Sequence, residues 1–355
     1  MRRVLTACGV IAGLLVASPL FAQGQILKAK AQNVAEIPYE SVPNFLKFPP
    51  NVYMGEGIGV ATNSKGHVFV YTRSGETRLF EFDQNGAWVR EIGAGLYGFT
   101  FAHAVRVDKD DNIWTVDEGS NMVIKFNPAG RVTMVIGRRP DAVDELVAMS
   151  GQGSAPHPNK PYSFSRPTDV GWDAQGNIFV TDGYGDDRVV KFDKNGRFIK
   201  SAGTAGNGPA QLRLPHTMAM DAAGNIYIGD RSNARVQVWD NDLNPKAIYD
   251  QVGSPWAVCI SPGPHQFLYV SNSMPDSGDS RNAPYTGEIY KMELDGTIIG
   301  KFGKAGKALK EFSTVHEIDC RNPNELFVSE ITDWRVQKIL LKPQTMKSSS
   351  GDRRQ

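Results

Sequence analysis

The stretch HTMAMDAAGNIYIGDRSNARVQVWDNDLNPKAIY, residues 216–249, determines the fold class. It predicts four short strands: an apolar strand, an alternating strand in NIYIGD, a third strand in RVQVWD and a fourth strand after an Asn-rich turn. The turns DAAGN and DNDLN separate these strands with residues that favour chain reversal. Four consecutive strands joined by short turns form one antiparallel sheet, which is the unit of several repeat architectures.

The same unit recurs along the chain. Clear copies occupy residues 103–137 and 167–203, and weaker copies occupy residues 59–93, 256–303 and 316–341. Six such units, spaced by roughly 40 to 65 residues, predict an all-β, six-bladed β-propeller with four-stranded antiparallel blades. The last unit ends without a fourth strand. We therefore expect the segment from about Ile37 to Phe48 to supply that strand and close the ring.

The ends of the chain differ from the repeats. Residues 1–22 carry two arginines, a short apolar run and small residues, which predicts a cleaved signal peptide and an exported protein, periplasmic or secreted. We expect the remainder to divide into an N-terminal segment (23–56), the propeller (57–342) and a disordered polar tail (343–355). No later stretch approaches the ~20 apolar residues that a membrane span requires.

Charge and cysteine content exclude several classes of protein. With 39 basic and 38 acidic residues, the chain has no long-range field that would attract nucleic acid or an anionic membrane. The partner expected from the site residues described below is a small-molecule or peptide substrate. Beyond the signal segment only Cys259 and Cys320 remain, too few for a disulfide-rich scaffold or a cysteine-rich zinc module. The two could pair in an oxidising compartment, but the favoured expectation is two buried free thiols.

One position of the repeat, five residues before the residue that opens the first turn, holds unusual side chains. In chain order it holds Ile58, His103, Thr168, His216, Trp256 and His316. The three histidines stand on alternate blades, about 120° apart in a closed ring, at the start of the innermost strand. Three imidazoles are therefore expected to converge on the axis.

Three neutral imidazoles with an open fourth position match a catalytic zinc site. The same ligand set also suits copper, iron or nickel. Purely structural histidines are the alternative, but that alternative has to explain three copies at one register. His67, His157 and His265 lie off this register and are expected to play no comparable part.

Residues that follow the second strand share a face with the histidines, because that strand runs antiparallel to the innermost one. Arg73, Tyr184 and Arg231 break the repeat pattern at this position and are candidate site residues. Two insertions, residues 138–166 and 274–286, should emerge on the same face, and long loops in compact domains commonly bind ligands.

Other charged residues at these strand ends are expected to be structural. The aspartates are expected to cap turns through backbone amides: Asp117, Asp182 and Asp230. The recurring arginines are expected to tie blades together through ion pairs: Arg188, Arg235 and Arg335.

Three stretches, at residues 164–199, 214–221 and 229–239, resemble the lyase domain of peptide α-amidating enzymes, the peptidyl-α-hydroxyglycine α-amidating lyase. The resemblance extends from about Gly57 to Leu341, and the blades are similar to NHL repeats. It implies a zinc ion held by the three register histidines, His103, His216 and His316. It also implies that Tyr184, in its DGY motif, is the general base, and that Arg231 and Arg73 are the site arginines.

The chain departs from this family at two places. No cysteine lies beside Gly185, so the family's disulfide next to the catalytic tyrosine is absent. The third metal motif is TVHE instead of MPHD, so Thr314 replaces a substrate-site methionine and Glu317 replaces an aspartate linked to a structural calcium. The resemblance therefore implies a calcium contact at Glu317 and leaves substrate specificity open.

The function that the resemblance implies is zinc-dependent carbon–nitrogen lyase activity. Its substrates would be N-(α-hydroxyalkyl) amides such as peptidyl-α-hydroxyglycine, which break into an amide and glyoxylate. Two alternatives remain. One is another metal-dependent propeller hydrolase, such as a lactonase, in which metal-bound water attacks the substrate. The other is a non-catalytic NHL propeller that serves as a binding module.

Overall fold

The computed structural model describes residues 29–139, 160–273 and 286–342. The predicted signal peptide and polar tail, and most of both predicted insertions, lie outside the described residues. Within those ranges no helix is long and apolar enough to cross a membrane. A single 3₁₀ turn, Arg231–Asn233, accompanies the strands in the same ranges.

The strands form six four-stranded antiparallel sheets, so the prediction of a six-bladed propeller is confirmed. Blade 1 comprises β2 (Glu56–Thr62), β3 (Val68–Arg73), β4 (Arg78–Phe82) and β5 (Trp88–Ile92). Blade 2 comprises β6 (Ala102–Val107), β7 (Ile113–Asp117), β8 (Met122–Phe126) and β9 (Val132–Gly137). Blade 3 comprises β10 (Asp169–Trp172), β11 (Ile178–Asp182), β12 (Arg188–Phe192) and β13 (Phe198–Ala202).

The second half of the ring repeats this order. A short parallel pair, β14 (Thr204–Ala205) and β15 (Gln211–Leu212), precedes blade 4. Blade 4 comprises β16 (Pro215–Met220), β17 (Ile226–Asp230), β18 (Arg235–Trp239) and β19 (Pro245–Tyr249). Blade 5 comprises β20 (Pro255–Ile260), β21 (Leu268–Asn272), β22 (Glu288–Met292) and β23 (Ile298–Phe302).

Blade 6 closes the ring with strands from both ends of the described chain. It comprises β24 (Val315–Asn322), β25 (Glu325–Glu330), β26 (Arg335–Leu341) and, on its outer edge, β1 (Tyr39–Val42). β1 pairs antiparallel with β26, and it lies within the segment, from about Ile37 to Phe48, that was expected to close the ring. The innermost strands of blades 6 and 1, β24 and β2, pack against each other, which completes the circle.

The apolar core lies between neighbouring blades. Each of six apolar clusters is built chiefly from two adjacent blades, such as Val170 and Val180 of blade 3 with Val116 and Val123 of blade 2. Middle strands are therefore covered on both faces, and all five residues of β11 are buried. This explains the consecutive apolar residues Ile178, Phe179 and Val180 of β11, where a sheet with one solvated face would show a strict alternation.

The structure joins Cys259 and Cys320 in a disulfide, so the expectation of two free thiols is wrong. Cys259 lies on β20 and Cys320 on β24, the innermost strands of blades 5 and 6, with their Cα atoms 6.1 Å apart. That separation permits a disulfide. The residues are 61 positions apart in the chain, so only the packing of two blades brings them together.

Candidate metal centre

The three register histidines lie on the inner strands β6, β16 and β24, each at a β-bulge. Strand pairing shifts register across His103, across His216 and across His316. A bulge inserts one residue that is left out of the ladder and turns its side chain away from the regular alternation. The repeated bulge therefore explains how three side chains from separate blades all reach the axis.

The imidazoles form a compact triangle. The ring centroids of His103 and His316 are 4.8 Å apart, and those of His216 lie 4.7 Å from each of the other two. One nitrogen from each ring can be chosen so that all three lie within 4.8 Å of one another. All three side chains are buried.

Backbone carbonyls of the intervening blades orient the rings. The Nδ1 atom of His103 donates to Thr168 O (2.6 Å), that of His216 to Trp256 O (2.7 Å) and that of His316 to Ile58 O (2.8 Å). These acceptors occupy the same repeat position on the three blades that lack a histidine. A carbonyl only accepts, so each Nδ1 carries the proton and each Nε2 presents a lone pair to the axis.

The electrostatics of the site keep these rings neutral. Burial is the main cause that holds the pKa of each histidine well below its usual value. The Arg231 guanidinium acts in the same direction on all three pKa values, and Arg73 does so on those of His103 and His316. The Nε2 atoms of His103 and His216 are buried without a hydrogen-bond partner within the described part of the chain. Neutral imidazoles with unsatisfied inward nitrogens are the donor set that Zn²⁺ takes, so these residues fit the metal.

Tyr184 lies beside this triangle, in the turn after β11. Its ring centroid is 5.5 Å from that of His103 and 6.2 Å from that of His216. The Arg231 guanidinium carbon lies 5.5 Å from the Tyr184 ring centroid. Burial raises the pKa of Tyr184, and the positive charge of Arg231 opposes that rise. The structure thus brings together the residues that the sequence had placed on one face.

The two candidate arginines differ in their carboxylate partners. Arg73 is buried and forms ion pairs with Glu56 (2.7 Å) and Glu118 (3.3 Å). Arg231 lies over the Trp256 ring, with its guanidinium carbon 4.2 Å from the centroid. Among the described residues, no carboxylate lies within ion-pair distance of Arg231. Within the described ranges, Arg231 therefore differs from Arg73 in having no carboxylate that neutralises its charge.

Two further residues contact the site and were not among the predicted site residues. Arg166 lies over Tyr184, with its guanidinium carbon 4.3 Å from the ring centroid, and pairs with the buried Glu118 at 3.2 Å. Glu118 therefore forms ion pairs with both Arg166 and Arg73. A signal for Glu118 was available, because it occupies the same repeat position as Arg231, directly after the second strand.

The other strand-end residues make structural contacts, but the expectation that the arginines tie blades together through ion pairs is wrong. Each aspartate accepts a backbone N–H from the connector that enters its blade: Phe101 to Asp117, Ser165 to Asp182 and Arg213 to Asp230. The arginines form ion pairs within one blade: Arg188 with Asp182, Arg235 with Asp230 and Arg335 with Glu330. Each arginine also donates a hydrogen bond to a backbone carbonyl of the connector from the preceding blade: Arg188 to Ser163, Arg235 to Gln211 and Arg335 to Glu311.

The remaining histidines take no part in the triangle. His67 pairs with Glu81 and His265 with Glu293, both at 2.8 Å, while His157 lies outside the described residues. Glu317, for which the resemblance implies a calcium contact, faces the Arg106 guanidinium, with Oε1 3.1 Å from Nη1.

The insertions can be followed only at their ends. Arg166, at the end of the first, reaches Tyr184, so that end lies on the histidine face. Gly185 lies against Ser165, where an added Cβ would stand 1.9 Å from the serine oxygen. The Tyr184 turn and the end of the insertion are thus in direct contact without a disulfide between them.

Comparisons with known proteins agree with this architecture. The NHL repeat family matches residues 212–239. A Caenorhabditis elegans protein described as a probable peptidyl-α-hydroxyglycine α-amidating lyase is 29% identical over 330 residues, covering 83% of this chain and 85% of the relative. Peptidyl-glycine α-amidating monooxygenase B of Xenopus laevis is 28% identical over 282 residues. The match covers 76% of this chain but only 30% of that longer protein.

A solved structure of low sequence identity shows the same fold. A gluconolactonase from Xanthomonas campestris superposes with a TM-score of 0.55 at 13% identity, covering 82% of this chain and 88% of that one. The chain is therefore a six-bladed β-propeller with a match to the NHL repeat at residues 212–239, and it resembles the peptidyl-α-hydroxyglycine α-amidating lyases.

Proposed function

We propose that this chain is a zinc-dependent lyase that cleaves N-(α-hydroxyalkyl) amides, such as peptidyl-α-hydroxyglycine, into an amide and glyoxylate. The observation that carries the proposal is the convergence of three inward-facing imidazoles, one tyrosine and one arginine with no carboxylate partner among the described residues. The similarity to proteins named for this reaction supports it.

Arg231 is the residue we assign to the substrate carboxylate. Arg73 is already neutralised by Glu56 and Glu118, whereas Arg231 stacks on Trp256 and has no ion-pair partner among the described residues. A guanidinium binds a carboxylate through two parallel hydrogen bonds, which orients the α-carbon as well as holding the charge. The carboxylate bound there is the one that leaves in glyoxylate.

Tyr184 is the residue we assign to the hydroxyl proton. A phenol with a pKa near 10 is a weak base at neutral pH, and burial raises the pKa of Tyr184 further. The guanidiniums of Arg231, Arg73 and Arg166 counter this by favouring the phenolate. Zn²⁺, when bound, supplies a Lewis acid for the oxygen that becomes the aldehyde and adds positive charge to the site.

The bond changes balance without a co-reactant. The Tyr184 phenolate accepts the proton of the substrate hydroxyl, and the freed electron pair forms the carbonyl of glyoxylate. The carbon–nitrogen bond breaks and its electron pair goes to the amide nitrogen. That nitrogen needs one proton, which the Tyr184 phenol returns. The residue is therefore a base and then an acid in one turnover.

Release of glyoxylate tests the proposal directly. Zinc-loaded protein is incubated with a peptide ending in α-hydroxyglycine, and glyoxylate is measured beside His216→Ala and the control His265→Ala. We expect release by the parent and by His265→Ala, and none by His216→Ala. Cleavage of lactones without glyoxylate release would favour a hydrolase. Absence of both activities in zinc-loaded protein would favour a binding module.

Export is part of the same proposal. The Cys259–Cys320 disulfide supports it, because structural disulfides persist in oxidising compartments and are rare in the cytosol. Detection of the protein in periplasmic or secreted fractions, shortened by about the first 22 residues, is the expected result.

A further inference from the structure

A buried ionic cluster lies next to the histidine triangle. Its arginine is Arg106 on β6, three residues after His103. Its acids are Asp169 on blade 3 and Glu317 on blade 6, both almost completely buried, with Glu317 directly following His316. The cluster therefore joins three of the innermost strands beside the candidate metal ligands.

The contacts of Arg106 use its whole guanidinium. Nε and Nη2 donate to the two Asp169 oxygens at 2.9 and 2.6 Å, and Nη2 also approaches Thr217 Oγ1 of blade 4 at 3.3 Å. Nη1 lies 3.1 Å from Glu317 Oε1, an ion pair without hydrogen-bond alignment. One rigid cation thus contacts side chains from three other blades.

Three of the four carboxylate oxygens of the cluster accept hydrogen bonds, and the fourth, Glu317 Oε1, lies 3.1 Å from Arg106 Nη1 without hydrogen-bond alignment. Asp169 Oδ2 accepts from Thr217 Oγ1 and from Met218 N, both at 2.9 Å, in addition to Arg106. Glu317 Oε2 accepts from Val105 N at 3.3 Å. A calcium ion takes six to eight oxygen ligands at about 2.3–2.6 Å, with no donor hydrogens pointing at it. The residues present therefore do not fit calcium at Glu317.

We propose that Arg106 is the built-in cation of this cluster and takes the position that a structural calcium would otherwise occupy. Buried carboxylates are stable only when paired, and the guanidinium supplies the pairing charge together with directed hydrogen bonds. The protein then needs no calcium to hold its blades or to retain zinc. This inference concerns the fold and stands whether or not the chain is a lyase.

Thermal unfolding of the whole protein, with zinc saturating, tests this inference. Calcium-free buffer is prepared with a chelating resin instead of EGTA, because EGTA also removes zinc. For the parent we expect the Tm in 5 mM CaCl₂ to match the calcium-free value within ~1 °C, and elemental analysis to find zinc but no calcium. A calcium-dependent rise of several degrees, or stoichiometric calcium in the purified parent, would overturn the proposal.

Arg106→Gln provides the converse test. Removing the guanidinium leaves Asp169 and Glu317 without a counter-charge, so we expect a lower Tm that calcium restores by ~3 °C or more. Arg106→Lys keeps the charge and should respond little to calcium. The matched control is Arg78→Gln, which removes another bidentate pair, with Glu91 on the outer strands, and should not respond. An Arg106→Gln variant that folds but is unmoved by calcium would show that the position is not a cation site. If it does not fold, the parent measurements decide.

Discussion

Replacing Tyr184 by phenylalanine removes one oxygen atom and tests the central step of the proposed reaction. Within the described residues the Tyr184 hydroxyl makes no hydrogen bond to the protein, and the ring contacts with His103 and Arg166 survive the substitution. The free energy of unfolding should therefore change by no more than ~0.5 kcal/mol, and the Tm by no more than ~2 °C. Zinc content should be that of the parent.

The rate should respond very differently. General base catalysis contributes about 10²- to 10⁴-fold, which is ~2.7–5.5 kcal/mol of transition-state stabilisation. We expect kcat for glyoxylate release to fall by that factor. KM should change little, because Arg231 is left in place to bind the carboxylate. Initial rates across a substrate series, zinc analysis and thermal unfolding of the same preparation measure all three quantities.

Tyr162→Phe is the matched control, since Tyr162 precedes β10 of the same blade. Its hydroxyl accepts a hydrogen bond from Phe198 N at 2.9 Å, so its loss should cost ~1 kcal/mol of stability and leave the rate unchanged. A Tyr184→Phe enzyme that keeps its zinc and retains kcat within about threefold of the parent would refute the assignment of Tyr184 as the base.

Three further outcomes follow from the site. His216→Ala should lose bound zinc while His265→Ala keeps it, and equal zinc content by elemental analysis would show that the triangle is not the metal site. Arg231→Gln should raise KM about 10- to 100-fold for a substrate with a carboxylate, because ~1.5–3 kcal/mol of binding free energy is lost, but not for an analogue without a carboxylate. Equal effects on the two substrates would contradict the carboxylate assignment. Burial lowers the pKa of His103, His216 and His316, so the zinc-free fold binds fewer protons than the unfolded chain below about pH 6.5. Their contribution to the free energy of unfolding is complete above that pH and is lost on acidification, by up to ~1.4 kcal/mol per pH unit for each histidine. Urea unfolding at several pH values gives the dependence of this free energy on pH. For zinc-free His216→Ala that dependence should be shallower by the share of one histidine, and an unchanged pH dependence would contradict the prediction.

Local sequence was sufficient for the architecture. Strand length, turn composition and the spacing of the copies are short-range properties, and each blade satisfies most of its hydrogen bonds within about 35 residues. The common register of His103, His216 and His316 could be predicted for the same reason. In a closed ring of repeats, the same repeat position on successive blades lies at regular angles around the axis. The grouping of Tyr184, Arg73 and Arg231 with the histidines followed from strand direction alone.

Contacts between distant blades could be decided only by the tertiary structure. The carbonyls of Thr168, Trp256 and Ile58 orient the histidines across blade boundaries, and the disulfide joins residues 61 positions apart. Arg106 meets Glu317 only because the ring closes. Such partners share no periodic pattern, since each pair depends on how two separately formed sheets pack. The sequence therefore determined which residues face the axis, and the packing of the blades determined which of them are paired, buried or left free to bind.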